Sequence, residues 1–391
     1  MPVSCNRRIN GRGMTSIAWC SSRNDHMKTT KLLSPYTLGS IVLRNRIVMA
    51  PMTRSRAPGN IPNDLMATYY GQRSTAGLIV TEGTSPSPNG LGYSRIPGIF
   101  TSEQVEGWKK TTEAVHTRGG RIFVQLMHTG RISHPANMSE HAVIFAPSAK
   151  KALGQIWTDT LGQQDFPVPT AMSPLDIGKT REEYVTAAAN GIKANFDGVE
   201  LHGANGYLLE QFLSPMSNVR VDEYGGSIEN RCRFLLEVVD GVVAAIGKER
   251  VGIRLSPYGV ASDMPLYPEI DATYAYLARQ LHTREILYIH VVDHSSMGAP
   301  QVPAAIKKTI RTSFQRTIIL SGGFSMDSAA AAVRNGQADL IAFGRPFIIN
   351  PDLVERFTRG WDLAKGLDMA TFYSPGEKGY VDYPAHAADV R

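Results

Sequence analysis

The segment His202-Gly203-Ala204-Asn205-Gly206-Tyr207 sets an imidazole, a carboxamide and a phenol close together, separated only by glycine and alanine. His202 and Asn205 can both donate hydrogen bonds to one oxygen, and Tyr207 can deliver a proton beside it. That combination suits stabilising an enolate and then protonating its carbon. A lone histidine in such a place is more often structural, so the argument rests on the triplet.

Two glycine-bearing segments suggest a second kind of contact. Ser321-Gly322-Gly323-Phe324 and Phe343-Gly344-Arg345-Pro346 can offer backbone N–H groups and a guanidinium to a phosphate, which implies a phosphate-bearing ligand or cofactor. The competing reading is tight turns plus a structural ion pair at Arg345. Gln125, Thr53 and Arg254 supply a donor and acceptor, a hydroxyl and a fixed charge that could grip a planar heterocycle. Arg254 could equally be an ion-pair partner in the core. Glu82 reads as a structural acid.

For these residues to meet, the intervening chain must form a closed scaffold. Short runs rich in Val, Ile and Leu, suited to strands buried on both faces, occur at 46–51, 77–83, 121–127, 198–202, 251–257, 287–293, 317–323 and 340–345. Helical spacing lies between them at 102–118, 181–195, 228–246, 272–282 and 327–335. Eightfold alternation predicts an α/β chain folded as a (β/α)₈ TIM barrel, with the candidate residues at the C-terminal strand ends where barrels keep their active sites. A doubly wound sheet is disfavoured because no G-x-G-x-x-G follows the first strand. Residues 36–43 predict a β-hairpin capping the bottom, and 132–179 a long insertion over the top face after the third strand. Asn195 suits a left-handed helix end, and Asp327 is expected to cap the helix that follows.

Bulk properties narrow the classes. The net charge of +6 is modest and scattered, which argues against nucleic acid, and no apolar run is long enough for a membrane span. Cys5, Cys20 and Cys232 form no C-x-x-C pair, so neither a metal nor a disulfide framework is expected, and a cytoplasmic setting fits. Paired strand-end carboxylates for glycoside hydrolysis and a strand-end lysine for Schiff-base chemistry are missing. Residues 1–26, basic and serine-rich, read as a leader that is disordered, organelle-targeting or not native, and 27–391 as one barrel domain.

The phrases RNRIVMAPMTR, GLIVTEGT, VQLMHTGR, FDGVELHGANGYLLEQFLSPMSNVRVDEYGGSIENR, GIRLSP, LIAFGRPFIINPDL and GYVDYP together resemble the Old Yellow Enzyme family of FMN-dependent NAD(P)H oxidoreductases, over about residues 32–383. The resemblance implies an ene-reductase that uses NADPH or NADH to reduce FMN. It then reduces the activated C=C bond of a small-molecule enone or nitro substrate by ping-pong hydride transfer. Pro51, Met52 and Thr53 would line the flavin, Gly83 and Gln125 its ring edge, and Arg254 its N1 side. Gly322, Gly323, Gly344 and Arg345 would hold the phosphate. His202 and Asn205 would bind the substrate oxygen, with His202 also near the cofactor, and Tyr207 would be the proton donor. Tyr93, Met127 and Tyr373 would line the substrate pocket; Met127 stands where many members carry Trp, which implies more room. A monomer or homodimer is expected. The alternative is an FMN-binding barrel, non-catalytic or oxidising, with no alkene-reductase role.

Overall fold

Runs of Val, Ile and Leu bounded by Gly, Asp or Pro satisfy a strand with no solvent-facing side, and within the eight expected runs every residue of the strand that forms is buried. The computed structural model describes residues 31–386, so the leader at 1–26 lies outside the described residues. In chain order the strands are β1 (Tyr36–Leu38), β2 (Ile41–Leu43), β3 (Ile47–Met49), β4 (Leu78–Thr84) and β5 (Ile122–Leu126), then the short β6 (Phe145–Ala146), β7 (Gln155–Thr158), β8 (Gly162–Asp165) and β9 (Thr170–Ala171). They continue with β10 (Gly198–Gly203), β11 (Val251–Leu255), β12 (Tyr288–Val292), β13 (Thr317–Ser321) and β14 (Leu340–Phe343). Strands β3, β4, β5 and β10 to β14 form a closed parallel barrel, with β14 paired to β3.

The β1–β2 hairpin is the bottom plug. Leu38 and Leu43 are fully buried against Val48, Leu78, Phe123, Leu287 and Leu340. The Tyr36 and Thr317 hydroxyls hydrogen-bond at 2.8 Å, which ties the hairpin to the start of β13. At the other end, the insertion after β5 folds into the antiparallel β7–β8 hairpin and the parallel β6–β9 pair. Its Ile132, Ala152, Ile156 and Phe166 pack with Tyr93 and Tyr207, so the excursion forms a wall of the top face.

Helices Ser102–His116, Pro174–Lys193, Ile228–Ile246, Ile270–Thr283 and Met326–Arg334 occupy the five expected spans. The second begins at Pro174, earlier than periodicity suggests, because Ser173 and Asp176 form a capping box with Pro at the first turn. Asn195 adopts φ 63° after the helix end, as its side chain permits. The expectation that Asp327 caps the Ala-rich helix is corrected. Ser325 is the N-cap, in a reciprocal box with Ser328, and Asp327 lies inside the first turn near the positive end of the helix dipole. Helices Asp64–Gln72, Leu208–Leu213, Ala304–Ser313, Arg345–Ile349 and Leu353–Arg359 lie outside the expected spans. No helix among the described residues is long and apolar enough to cross a membrane.

Candidate active site

The end of β10 delivers the triplet. Register sets His202 opposite Arg254 on β11 and Glu200 opposite Gln125 on β5, so their side chains share the barrel's upper layer. Past the strand, Asn205 takes φ 61° and Gly206 φ 75°. A Cβ at Gly206 would lie 2.7 Å from the Ala261 carbonyl oxygen, so this turn closes only with glycine. The turn brings the Tyr207 ring edge-on to the His202 imidazole, centroids 4.9 Å apart. The Tyr207 hydroxyl donates to the Tyr93 hydroxyl at 3.1 Å.

Electrostatics fix the protonation of both groups. His202 is held well below its ordinary value by burial and by the neighbouring Arg254 charge, so its imidazole is neutral. Its Nδ1 is buried without a hydrogen-bond partner. Burial and the Tyr93 hydroxyl push the Tyr207 phenol well above its usual range, so it keeps its proton.

Beneath them Glu200 is fully buried. One of its oxygens accepts from Gln125 Nε2 at 2.8 Å; the other meets His290 Nδ1 at 2.9 Å and accepts from the Tyr288 hydroxyl at 3.1 Å. Burial opposes the charge, yet His290, Arg254 and Gln125 together hold the carboxyl below its ordinary value. Arg254 forms no ion pair among the described residues, and its Nε is buried and unpartnered. An ion-pair role in the core is therefore not what this guanidinium serves.

A second buried carboxylate supports the turn from behind. Glu210 accepts from the Gly206 N–H at 2.6 Å, from Ser256 Oγ at 2.7 Å and from the Tyr274 hydroxyl at 2.7 Å, and Ser256 Oγ in turn accepts from the Asn205 N–H at 2.8 Å. Burial pushes Glu210 up to about 7, although these donors favour its ionised form. The folded chain thus holds a proton that the unfolded chain releases near 4.5, so stability declines as pH rises from about 4.5 and the decline ends beyond about 7. Glu210→Gln is expected to flatten this slope by roughly 1 kcal/mol per pH unit, measured as urea unfolding across that window. An unaltered slope would show that Glu210 does not titrate there. Glu82, also pushed by burial to about 7, is bonded to the Arg54 N–H and the Tyr70 hydroxyl within the wall, as a structural acid would be.

The ends of β13 and β14 form a cradle. Gly322 adopts φ 129°, and a Cβ there would stand 2.1 Å from the Asp293 carbonyl oxygen. Only glycine permits that approach. Arg345 is exposed and has no ion-pair partner among the described residues, and the Ser321 hydroxyl is buried and unpartnered. These donors lack partners among the described residues, and they fit an anionic group with a polar tail.

All the candidates face two adjoining cavities of about 1120 and 680 Å³. Gly83, Tyr93, Gln125, Met127, His202 and Tyr207 line the larger; Met52, Gly322, Gly323, Gly344 and Arg345 line the smaller; Pro51, Thr53, Asn205, Arg254 and Tyr373 border both. A register shift in β4 between Val80 and Gly83 sets Gly83 opposite Gln125, and Met127 packs into the space a side chain at Gly83 would fill.

Sequence reasoning missed several contributors. Arg54 and Arg56 are buried and donate to the carbonyls of Phe372, Thr371, Lys378 and Gly379, which fastens the C-terminal segment over the top face and sets Tyr373 at the cavity rim. His294, Ser262 and Trp157 also line the cavities. The only sequence signal for His294 was its place directly after Asp293 at a strand end.

Comparison with known proteins agrees with this architecture. Residues 31–363 match the NADH:flavin oxidoreductase / NADH oxidase family. A probable flavin mononucleotide-dependent alkene reductase of Leishmania infantum is 43% identical over 358 residues, covering 90% of this chain and 97% of that protein. The structure of morphinone reductase in complex with tetrahydroNAD superposes with a TM-score of 0.87 at 43% identity, over 92% of this chain and 99% of that one. The old yellow enzyme homologue from Zymomonas mobilis gives 0.87 at 38% identity, over 91% and 100%. The chain therefore belongs to the NADH:flavin oxidoreductase / NADH oxidase family and, within it, to the FMN-dependent Old Yellow Enzymes.

Proposed function

We propose that this protein reduces the activated C=C bond of α,β-unsaturated carbonyl or nitro compounds, with NADPH or NADH as the source of hydride. The observation that carries this reading is the convergence of a neutral imidazole, a carboxamide and a protonated phenol on one cavity beside Thr53, Gln125 and Arg254. The relative's complex with tetrahydroNAD supports a nicotinamide nucleotide as reductant.

The residues present fit FMN. Arg254 Nε and Ser321 Oγ are donors that the fold leaves unpartnered, and the smaller cavity, lined by Gly322, Gly323, Gly344 and Arg345, is space it leaves open. Pro51, Met52, Thr53, Gly83 and Gln125 would border the ring system, Arg254 would favour negative charge on it, and Gly322, Gly323, Gly344 and Arg345 would hold the phosphate. When bound, FMN supplies hydride transfer from the nicotinamide to the substrate's β-carbon.

His202 and Asn205 bind the carbonyl or nitro oxygen. Negative charge grows on that oxygen as the β-carbon gains hydride, so the two donors act chiefly on the transition state. Tyr207 then gives its phenolic proton to the α-carbon. The insertion and the C-terminal segment narrow access of water from above.

The test is spectroscopic. Purified protein should carry flavin absorbance, NADPH or NADH should bleach it, and 2-cyclohexenone should restore it under anaerobic conditions. Protein that takes up no FMN would defeat the reading, whereas bleaching that only dioxygen reverses would favour a flavin oxidase. Met127, packed on Gly83, also bears on substrate pose. Met127→Trp is expected to fill part of the larger cavity and change the enantiomeric ratio of products from bulky substituted enones, measured by chiral chromatography. An unchanged ratio and rate would show that position 127 does not orient the substrate.

A further inference from the structure

Asn205 presents a problem of polarity. Its backbone is fixed, since φ is 61° and its N–H is donated to Ser256 Oγ. A half-turn of the side-chain amide, however, exchanges donor for acceptor with almost no change of shape. Only one of the two orientations offers N–H to a substrate oxygen. The other presents a carbonyl to it and repels it.

His294, at the end of β12, can break that symmetry through the tautomer it holds. Its Nε2 lies 2.8 Å from Asn205 Oδ1, although the residues are 89 positions apart in the chain. His294 lines only the smaller cavity and His202 and Tyr207 only the larger, while Asn205 borders both. The amide end turned away from His294 therefore faces the side of His202 and Tyr207. Burial and the charges of Arg254 and Arg345 hold His294 down to about 4, so near neutral pH it has one ring N–H to give. With that proton on Nε2, the imidazole donates to Oδ1 and the carboxamide turns its N–H groups toward the substrate.

We propose that His294 is a positioning residue that fixes the donor polarity of Asn205, so that Asn205 offers N–H and not C=O to the substrate oxygen. The inference rests on the substrate-binding role given to Asn205 above.

Two nearly isosteric replacements separate positioning from packing. Gln can donate to Oδ1 as the imidazole does; Glu near neutral pH only accepts, and would draw the Asn205 N–H toward itself, leaving its carbonyl to face the substrate. The experiment uses FMN-loaded protein and two readouts. One is the dissociation constant of the oxidised holoenzyme for cyclohexanone, a ketone with no alkene to reduce, followed by perturbation of the visible flavin band. The other is the ratio of reoxidation rates with 2-cyclohexenone and with dioxygen after dithionite reduction.

His294→Glu should weaken cyclohexanone binding roughly 10- to 100-fold and lower the enone-to-dioxygen ratio, the cost of a hydrogen bond turned into a repulsion. His294→Gln should stay near the unmodified protein in both. A double variant, His294→Glu with Asn205→Ala, should bind no worse than Asn205→Ala alone, because the effect of His294 passes through Asn205. That comparison removes the general effect of a new negative charge. Equal behaviour of the Gln and Glu variants, alongside a weakened Asn205→Ala, would overturn the positioning role and leave the role of Asn205 standing. An Asn205→Ala protein that binds cyclohexanone normally would instead overturn the assignment of Asn205 itself, and the inference with it.

Discussion

Replacing Tyr207 with Phe is expected to slow enone turnover roughly 10²- to 10⁴-fold, while bleaching of the flavin by NADPH or NADH keeps close to its original rate. The asymmetry follows from what the phenol holds. Burial and Tyr93 keep its proton in place across the working pH range, and its hydroxyl already sits in a hydrogen bond with Tyr93 Oη at 3.1 Å. The neighbouring His202 is neutral, held well below its ordinary value, so it is a poor substitute as an acid. Phe keeps the edge-on ring contacts with His202 and Tyr93 and removes only the proton source. Stopped-flow measurement of the two half-reactions distinguishes the cases: equal slowing of both would contradict a proton-donor role and point to a displaced pocket.

The second large effect is expected at Glu200. Its carboxylate is the foremost neighbour favouring the charged form of the buried Arg254, against a burial that disfavours it. It also anchors Gln125, Tyr288 and His290. Glu200→Ala removes the charge that most favours ionised Arg254 and leaves three polar partners unpaired, a change that costs about 3–5 kcal/mol. Urea unfolding should show that loss, and the variant should retain flavin less firmly because Gln125 loses its fixed orientation. Glu200→Gln keeps the volume and one acceptor, so it should fall between the two. A Glu200→Ala protein with unmodified stability would mean that solvent enters this layer and screens Arg254, contrary to its burial.

Much of the candidate site could be read locally. His202, Asn205 and Tyr207 lie within one turn, so their side-chain chemistry and the small residues between them were visible together. The glycines at 322, 323 and 344 were legible as places needing an unusual backbone, and Gly322 shows why, since Asp293 occupies the space of a side chain. Local signals misled where two neighbouring residues could do the same job. Ser325 and Asp327 can both cap a helix, and the backbone path, not the residue type, gave the role to Ser325. The early start of helix Pro174–Lys193 was hidden for a related reason. Its first two turns contain Pro174 and Gly178, which weaken a helical reading, and are held by the box between Ser173 and Asp176.

By itself, the sequence determined the alternation of strands and helices, the eight buried runs and the identity of the groups gathered at strand ends. These depend on periodicity and on residues within a few positions of one another. Tertiary structure decided the partners. Closing β14 onto β3 and setting the register of β10 against β5 and β11 placed Glu200 beneath Gln125 and His202 across from Arg254. The same closure brought His294 to Asn205, and buried Arg54 and Arg56 under a segment more than 300 residues away. Hydrogen bonds between such distant positions leave no periodic trace, because each depends on where the whole barrel brings two backbones and not on what stands beside either residue.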